Sequence, residues 1–417
     1  MTQRTELFTV LPPAIAYAEL ASRLSTLSQS EDVTTESALG RVASAAVVAG
    51  ESLPAFPRST MDGFAVRASD TFGASESAPS YLRLIGEVRM GTIAAQRVEP
   101  GTAIRVHTGA MLPPAADAVA IVEDTNLRGD ELEVLRSVPP GDSCVVVGED
   151  VREGESVFEP GHRFRAQDLG ALHALGITHV AVRRKPVVAV LSSGDEVVAP
   201  DRSPPLGAVR DVNSVTIAAT IERAGGKSLM HGIVRDDEEF LEKTARRALE
   251  GADMLVLSAG SSVSFRDITA RVVARLGAPG ILVHGVALKP GKPTILALCD
   301  GKPVIGVPGN PVSALVIAWR FVRPIIGVLL GARVAPSGLE DECAVEARLT
   351  ANVPSRPGRE DYVPAKLRRS AGGEMEATPI FGKSTLIFSL VRSDGLIEIP
   401  LDRTGETAGS LVRVVIP

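Results

Sequence analysis

Val187-Val188-Ala189-Val190-Leu191-Ser192-Ser193-Gly194-Asp195-Glu196 is the stretch that decides the fold. Its opening apolar run is too short for a helix and lacks the polar alternation of a half-exposed strand. It therefore predicts a strand buried on both faces, ending in a small, polar turn. A helix at Ser214–Arg223 follows. The rhythm then repeats: strand Ser228–Val234, helix Asp237–Leu249, strand Met254–Leu257, helix Thr269–Leu276, and strand Val304–Val307 turning into a long helix from Asn310. Buried strands alternating with helices predict a parallel sheet with helices on both faces.

Outward from this core the texture changes. Up to about Leu53 the chain reads as helical, with Ile15, Leu20, Leu24 and Leu27 after Pro12 and Pro13. Pro54 to Val147 reads as a small β module with strands at Arg83–Val88, Thr102–Val106, Ala118–Val122 and Glu131–Leu135. Asp150 to Arg184 reads as helix again, with Leu169, Leu172, Leu175 and Ile177 on one side. Beyond Ala335, Cys343–Leu349, Asp361–Leu367, Leu396–Ile399 and Ser410–Ile416 read as strands of a barrel-like β domain. The expected fold class is a multidomain α/β and β protein. Residues 1–54 with 148–184 form a helical and linker domain, 55–147 an inserted β domain, 185–332 a doubly wound α/β domain and 333–417 a C-terminal β domain.

The 417 residues suffice for several domains, and 45% apolar with 23% charged residues is ordinary for a globular chain. A formal charge of -6 argues against nucleic acid as the partner but leaves room for a local cluster of lysines. Cys144, Cys299 and Cys343 are far apart, with no C-x-x-C pair, which argues against a zinc site or disulfide framework and fits a reducing cytoplasm. No signal peptide is expected after Met1-Thr2-Gln3-Arg4. No membrane span is expected in Val304–Ala332, which Pro308, Gly309, Asn310, Pro311, Arg320 and Arg323 interrupt.

In parallel α/β sheets, ligands bind beyond the carboxyl ends of the strands. Four motifs are expected there: Ser192-Ser193-Gly194-Asp195-Glu196, Ser258-Ala259-Gly260-Ser261-Ser262, Pro308-Gly309-Asn310-Pro311 and Lys289-Pro290-Gly291-Lys292-Pro293. Small residues let backbone N–H groups approach an anion, and Asn310-Pro311 suits a helix start. Lys289 and Lys292 can supply positive charge, and Glu196 and Asp267 could share a magnesium ion with phosphate oxygens. Each motif alone has an ordinary reading. Ser193 and Glu196 could form a capping box, Asp62-Gly63 the corner of a β-turn, and the lysine turn a solvated loop. Asp150, after Gly148-Glu149, reads as a helix cap. Asp237 also reads as a cap, leaving Asp236 the freer carboxylate. His107, beside Thr108-Gly109-Ala110, reads as a residue that packs or hydrogen-bonds locally.

In this order, together with Ser59-Thr60-Met61-Asp62-Gly63-Phe64-Ala65-Val66-Arg67 and Asp211-Val212-Asn213-Ser214, these motifs resemble the molybdopterin molybdenumtransferase family, of MoeA type, related to the E domain of gephyrin. The resemblance covers nearly the whole chain. It implies insertion of molybdate into adenylylated molybdopterin with release of AMP, supported by magnesium. It also implies a homodimer whose active cleft is shared between subunits, with a molybdopterin adenylyltransferase as a further partner. Carried over residue by residue, the catalytic set is Asp62, Asp150, Glu196, Asp236, Asp267, Lys289 and Lys292, with Glu196 and Asp267 on the metal. The substrate-binding set is Thr108, Ser193, Gly194, Asp195, Asp211, Asn213, Ser258, Gly260, Ser261, Pro308, Gly309, Asn310 and Ser384. Three places depart from the family pattern. Gly260-Ser261-Ser262-Val263-Ser264-Phe265 replaces a glycine-rich loop, Gly285 stands where a lysine is frequent, and Lys383-Ser384-Thr385 replaces a Gly-Ser-Gly turn. A tungstate-preferring relative, a divergent paralogue and a catalytically silent pterin-binding scaffold are the alternatives.

Overall fold

The computed structural model describes residues 10–259, 263–333 and 344–416, with the side chains of 263–267 outside that description. Gly260, Ser261, Cys343 and the side chain of Asp267 therefore lie outside the described residues. The chain forms two compact units. One comprises Met1–Ser44, Pro160–Arg165 and Ala181–Pro417, the other Ala45–Glu159 and Ala166–Val180.

The decisive stretch becomes strand β1 (Val187–Ser193) inside a six-stranded sheet. The others are β2 (Lys227–Val234), β3 (Met254–Ala259), β4 (Pro279–His284), β5 (Ile295–Cys299) and β6 (Lys302–Pro308), in the spatial order β2-β1-β3-β6-β5-β4. Helices α1 (Asn213–Ala224), α2 (Glu238–Glu250), α3 (Val263–Arg275) and α4 (Pro311–Leu330) cover it. Alternate side chains of a strand point to opposite faces. Accordingly Val188 and Val190 join Ile217 and Ile221 of α1 and Ile325 of α4 in one core. Ala189 and Leu191 join Leu241 and Ala245 of α2 and Val272 of α3 in another. Both faces are buried, which is why β1 has no polar alternation.

β1, β2, β3 and β6 are parallel, as the sequence rhythm predicts. β5 and β4 are antiparallel additions. A rhythm of alternating strands and helices has no slot for two strands without a helix between them, so the sequence reading passes over this pair. Their placement matters: Ile295 pairs with Gly306, so the turn before β5 projects beyond the carboxyl end of β6. Helix α3 starts at Val263 rather than Thr269. With Phe265 and Arg266 in place of glycine, that segment takes up helix instead of a glycine-only loop path.

Other expectations need correction. Before Ser44 the described helix is Pro13–Ala21, followed by a strand at Ser30–Thr34. Between 150 and 184 only Ala166–Ala174 is α-helical, flanked by strands Ser156–Phe158 and His179–Arg183, because Pro160-Gly161 and Gly176 break the run. Helix α4 runs unbroken through a π turn at Ala318–Val322 and is long and apolar enough to cross a membrane. Its most apolar window is nevertheless 83% buried inside the protein, so it reads as a core helix.

At the C-terminal end, β7 (Ala344–Leu349), β8 (Glu360–Arg369), β9 (Met375–Pro379), β10 (Gly395–Ile399) and β11 (Leu411–Val415) close into a five-stranded barrel in the order β8-β9-β7-β11-β10-β8. Ala347, Ala365, Ala377, Ile397 and Val414 fill it. The short strand Leu288–Lys289 lies parallel against the start of β8, pairing Lys289 with Asp361.

The second unit holds a six-stranded sheet ordered Ala118–Ile121, Gly63–Val66, Thr102–Val106, Ser80–Val88, Glu131–Val134, Thr125–Arg128. The sequence reading finds four of these strands and misses Gly63–Val66 and Thr125–Arg128. Gly63 opens a strand because a Cβ there would lie 2.2 Å from the Ala120 carbonyl oxygen; only glycine admits that approach.

Candidate active site

The parallel register brings Ser192, Ser258 and Val307 into one row at the carboxyl edge of the sheet. Ser193 is the last residue of β1, and no helix follows it, so it does not belong to a capping box. Its hydroxyl donates instead to Val234 O at 3.2 Å and Asp236 Oδ1 at 3.3 Å. Gly194 turns tightly here; a Cβ would meet Val197 Cγ2 at 2.7 Å and Glu196 Oε2 at 3.0 Å. Asp237 caps α2 by accepting from Phe240 N at 2.7 Å, which leaves Asp236 as the freer carboxylate. The Asp236 backbone N–H binds Asp195 Oδ1 at 3.2 Å.

Burial holds the Asp236 carboxyl above its usual range, and the charges of Asp195 and Glu196 add to the effect. A carboxyl whose folded pKa is raised binds its proton more tightly folded than unfolded. Its contribution to stability is therefore complete below the ordinary value of 3.8 and lost as pH rises through the folded value. Asp236→Asn is expected to raise the thermal midpoint at pH 7 in chelator-treated protein. The gain should vanish in melts below pH 3.8.

Asp211 and Asn213 organise the start of α1. Asp211 Oδ1 accepts from Asn213 N at 3.0 Å and Ser214 N at 3.1 Å. The Asn213 amide donates to Ser258 Oγ at 2.8 Å and Gly309 O at 2.9 Å, so one side chain fastens the start of α1 to the end of β3 and the turn after β6. Asn213 Oδ1 is buried with no hydrogen-bond partner among the described residues. An acceptor left in that state costs about 1–3 kcal/mol, which a ligand donor would recover.

Gly309 leads to Asn310, the N-cap residue of α4. The Asn310 side chain does not cap the helix; its amide donates to Ser384 Oγ at 2.9 Å, and Val312 N binds Ser384 O at 3.0 Å. This ties the loop after β9 to the helix start beside a cavity of about 1040 Å³. Lys289, Lys292, Pro308, Asn310 and Ser384 line it, as do Arg356, Arg359, Asp361 and Lys383, which the sequence reading misses. A signal for two of them is present: Arg356-Pro357-Gly358-Arg359 repeats the cation-Pro-Gly-cation pattern of Lys289-Pro290-Gly291-Lys292. Among the described residues the cavity thus gathers five cations against one carboxylate, in a chain whose formal charge is -6. Such a concentration attracts multiply charged anions.

Asp62 and Thr108 lie in the other unit. They meet because Gly63 pairs with Val106 across antiparallel strands. Asp62 Oδ1 accepts from Thr108 N at 2.9 Å, and this bond holds its carboxyl below the usual range. His107 hydrogen-bonds locally, as the sequence suggests: Nε2 lies 2.8 Å from Glu87 Oε1 and Nδ1 3.6 Å from Asp62 Oδ1. Asp150, exposed in the same unit, sits in a turn whose backbone N–H binds Leu53 O at 3.0 Å, with no α-helix beginning there.

Three family models match this chain: "MoeA N-terminal region (domain I and II)" over residues 11–176, "Probable molybdopterin binding domain" over 189–327, and "MoeA C-terminal region (domain IV)" over 346–416. The molybdopterin molybdenumtransferase of Nostoc sp. is 30% identical over 400 residues, covering 95% of this chain and 91% of that protein. The Bacillus subtilis protein of the same name is 31% identical, covering 93% and 90%. A crystal structure of a molybdopterin biosynthesis moeA protein from Pyrococcus horikoshii OT3 superposes with a TM-score of 0.83 at 30% identity, over 98% of this chain and 100% of that one. With the strand-end loops and the cationic cavity in the matched regions, this chain belongs to the MoeA family.

Proposed function

We propose that the chain is a molybdopterin molybdenumtransferase acting in molybdenum cofactor biosynthesis, the transferase activity for which its relatives are named. The observation that carries this reading is the cationic cavity, where two cation-Pro-Gly-cation turns meet. The Asn310–Ser384 contact and the Asn213–Gly309 bond link it to the carboxylate-bearing strand ends. Molybdate and a phosphorylated pterin are both anionic. Lysine and arginine can hold them together while other groups act on the bond to be broken.

The finer reading takes adenylylated molybdopterin as substrate and AMP as the released product. Lys289, Lys292, Arg356 and Arg359 hold phosphate and oxyanion charge. Asn213 Oδ1 accepts a donor from the heterocycle, and Ser193, Gly194 and Asp195 shape the turn that approaches it. Magnesium suits the acidic edge, because the mutual repulsion that helps raise Asp236 is relieved by a cation. Among the described residues no group of three His, Cys, Asp or Glu is ready to hold a metal. Magnesium commonly takes only one or two carboxylates and completes its shell with substrate phosphate oxygens. Glu196 with Asp267 would hold it, and bound there it would neutralise phosphate charge.

Asp62, Thr108 and Asp150 would complete the site from the second subunit of a homodimer, with a molybdopterin adenylyltransferase delivering the substrate in the cytoplasm. The four-domain division belongs to the same reading, supported by the spans of the three family models. The experiment mixes purified chain with adenylylated molybdopterin, magnesium and molybdate and follows AMP. Molybdate-dependent release is expected; release indifferent to molybdate, or none, would sink the reading.

A further inference from the structure

A carboxylate in a cavity suited to anions is out of place on charge alone, and Asp361 is such a group. Its side chain is 1% exposed, so it is neither solvated nor replaceable by water. Both oxygens are engaged: Oδ1 accepts from Arg359 Nε at 2.8 Å, and Oδ2 lies 3.2 Å from Arg359 Nη2 and 3.5 Å from Lys289 Nζ. The two cations come from segments about seventy residues apart in the chain. Lys289 ends the short strand Leu288–Lys289, just before the turn that leads to β5, and Arg359 lies in the turn before β8. The Lys289–Asp361 strand pairing holds the backbones in register beneath them.

We propose that Asp361 is a positioning residue that clasps Lys289 and Arg359 side by side, fixing the distance between the two cation-Pro-Gly-cation turns as a clamp for a tetrahedral oxyanion. Lysine carries its charge on a flexible four-carbon stem, and its side chain here is 56% exposed. Without a fixed partner it would sample many positions. The planar guanidinium of Arg359 grips the carboxylate with two nitrogens, which leaves its remaining N–H groups aimed in fixed directions. The carboxylate spends its charge on these two groups and so repels an incoming anion less than a lone acid would. This deepens the proposed function and rests on it for the identity of the anion.

The test is a double-mutant cycle read by equilibrium binding of molybdate alone to the full chain. Asp361→Asn preserves shape while removing the charge, and Lys289→Met removes one arm of the clamp. Each single change is expected to weaken molybdate binding about tenfold. If Asp361 acts through Lys289, the double variant should lose clearly less than the product of the two, because interacting groups are not additive. Losses that multiply, or an Asp361→Asn variant that binds like the parent, would overturn the proposal. Failure of the parent to bind molybdate would also overturn it. Should Asp361→Asn fold poorly, Arg359→Lys replaces it in the same cycle; it keeps the charge and loses the two-nitrogen grip. Binding without molybdate-dependent AMP release would count against the enzymatic reading while leaving the clamp standing.

Discussion

Replacing Glu196 with alanine is expected to lower the rate of AMP release by on the order of 10²–10³-fold while leaving the thermal midpoint almost unmoved. Glu196 is exposed on the turn after β1, and its structural contribution runs through its backbone, whose carbonyl accepts from Val209 N at 2.8 Å. Alanine keeps that bond. What it removes is one of the charges that raise the Asp236 carboxyl. A second outcome is therefore expected: the Asp236 titration, followed by carboxyl NMR, should move down towards its ordinary value. Unchanged turnover would remove Glu196 from the reaction, and a collapsed melting transition would show that its role is structural.

The largest expected loss of stability comes from Arg320→Met. Arg320 is 1% exposed in the π turn of α4, with Nη2 3.7 Å from Glu360 Oε2. Tyr362 donates to the same carboxylate at 3.3 Å and stacks edge-on against Trp319 at 5.5 Å between centroids. Removing the guanidinium strands a carboxylate in the interior, at a cost of about 3–5 kcal/mol. Burial, its largest cause, already raises the Glu360 pKa above 4.5, against the lowering effect of Arg320. Loss of the arginine should raise it further. Native stability from a raised carboxyl is complete below the unfolded pKa and is lost as pH rises through the folded one. The deficit of Arg320→Met should therefore be greatest at neutral pH and shrink towards pH 4.5. Adding Glu360→Gln should recover part of it. Urea unfolding at several pH values would measure both; a deficit independent of pH would refute the stranded-charge account.

The core domain was legible because its strands are buried on both faces. Such strands must be continuous apolar runs, and β1, β3 and β6 announce themselves in that way. The hairpin of β4 and β5 escaped because Ile295–Cys299 carries the same signal without the helix that the surrounding pattern demands. In the region 150–184, the spacing of Leu169, Leu172 and Leu175 suits a helix, but only Leu172 is fully buried. Tertiary packing, not local spacing, decides the remainder. In the site, the lysine turn and strand-end loops could be read because their residue types are unusual together. Arg359 and Asp361 could not be placed, because their importance comes from a barrel strand pairing with Leu288–Lys289, a contact between segments about seventy residues apart.

The N-terminal segment has a consequence for how the chain is made. Leu11 exchanges backbone hydrogen bonds with Gly285 and Ala287, Leu27 N binds Leu329 O, and Ala16, Tyr17 and Leu20 lie in the same core as α4. Their backbone partners, Gly285, Ala287 and Leu329, are translated about 270–300 residues later. At about 5–20 residues per second, the first helix waits on the order of 15–60 s on the ribosome for the surface it will cover. During that interval the other unit, whose segments end at Val180, can already have folded. The early apolar residues must remain unaggregated meanwhile, so the shortness of the run after Pro12-Pro13 is as much a demand of synthesis as of the finished molecule.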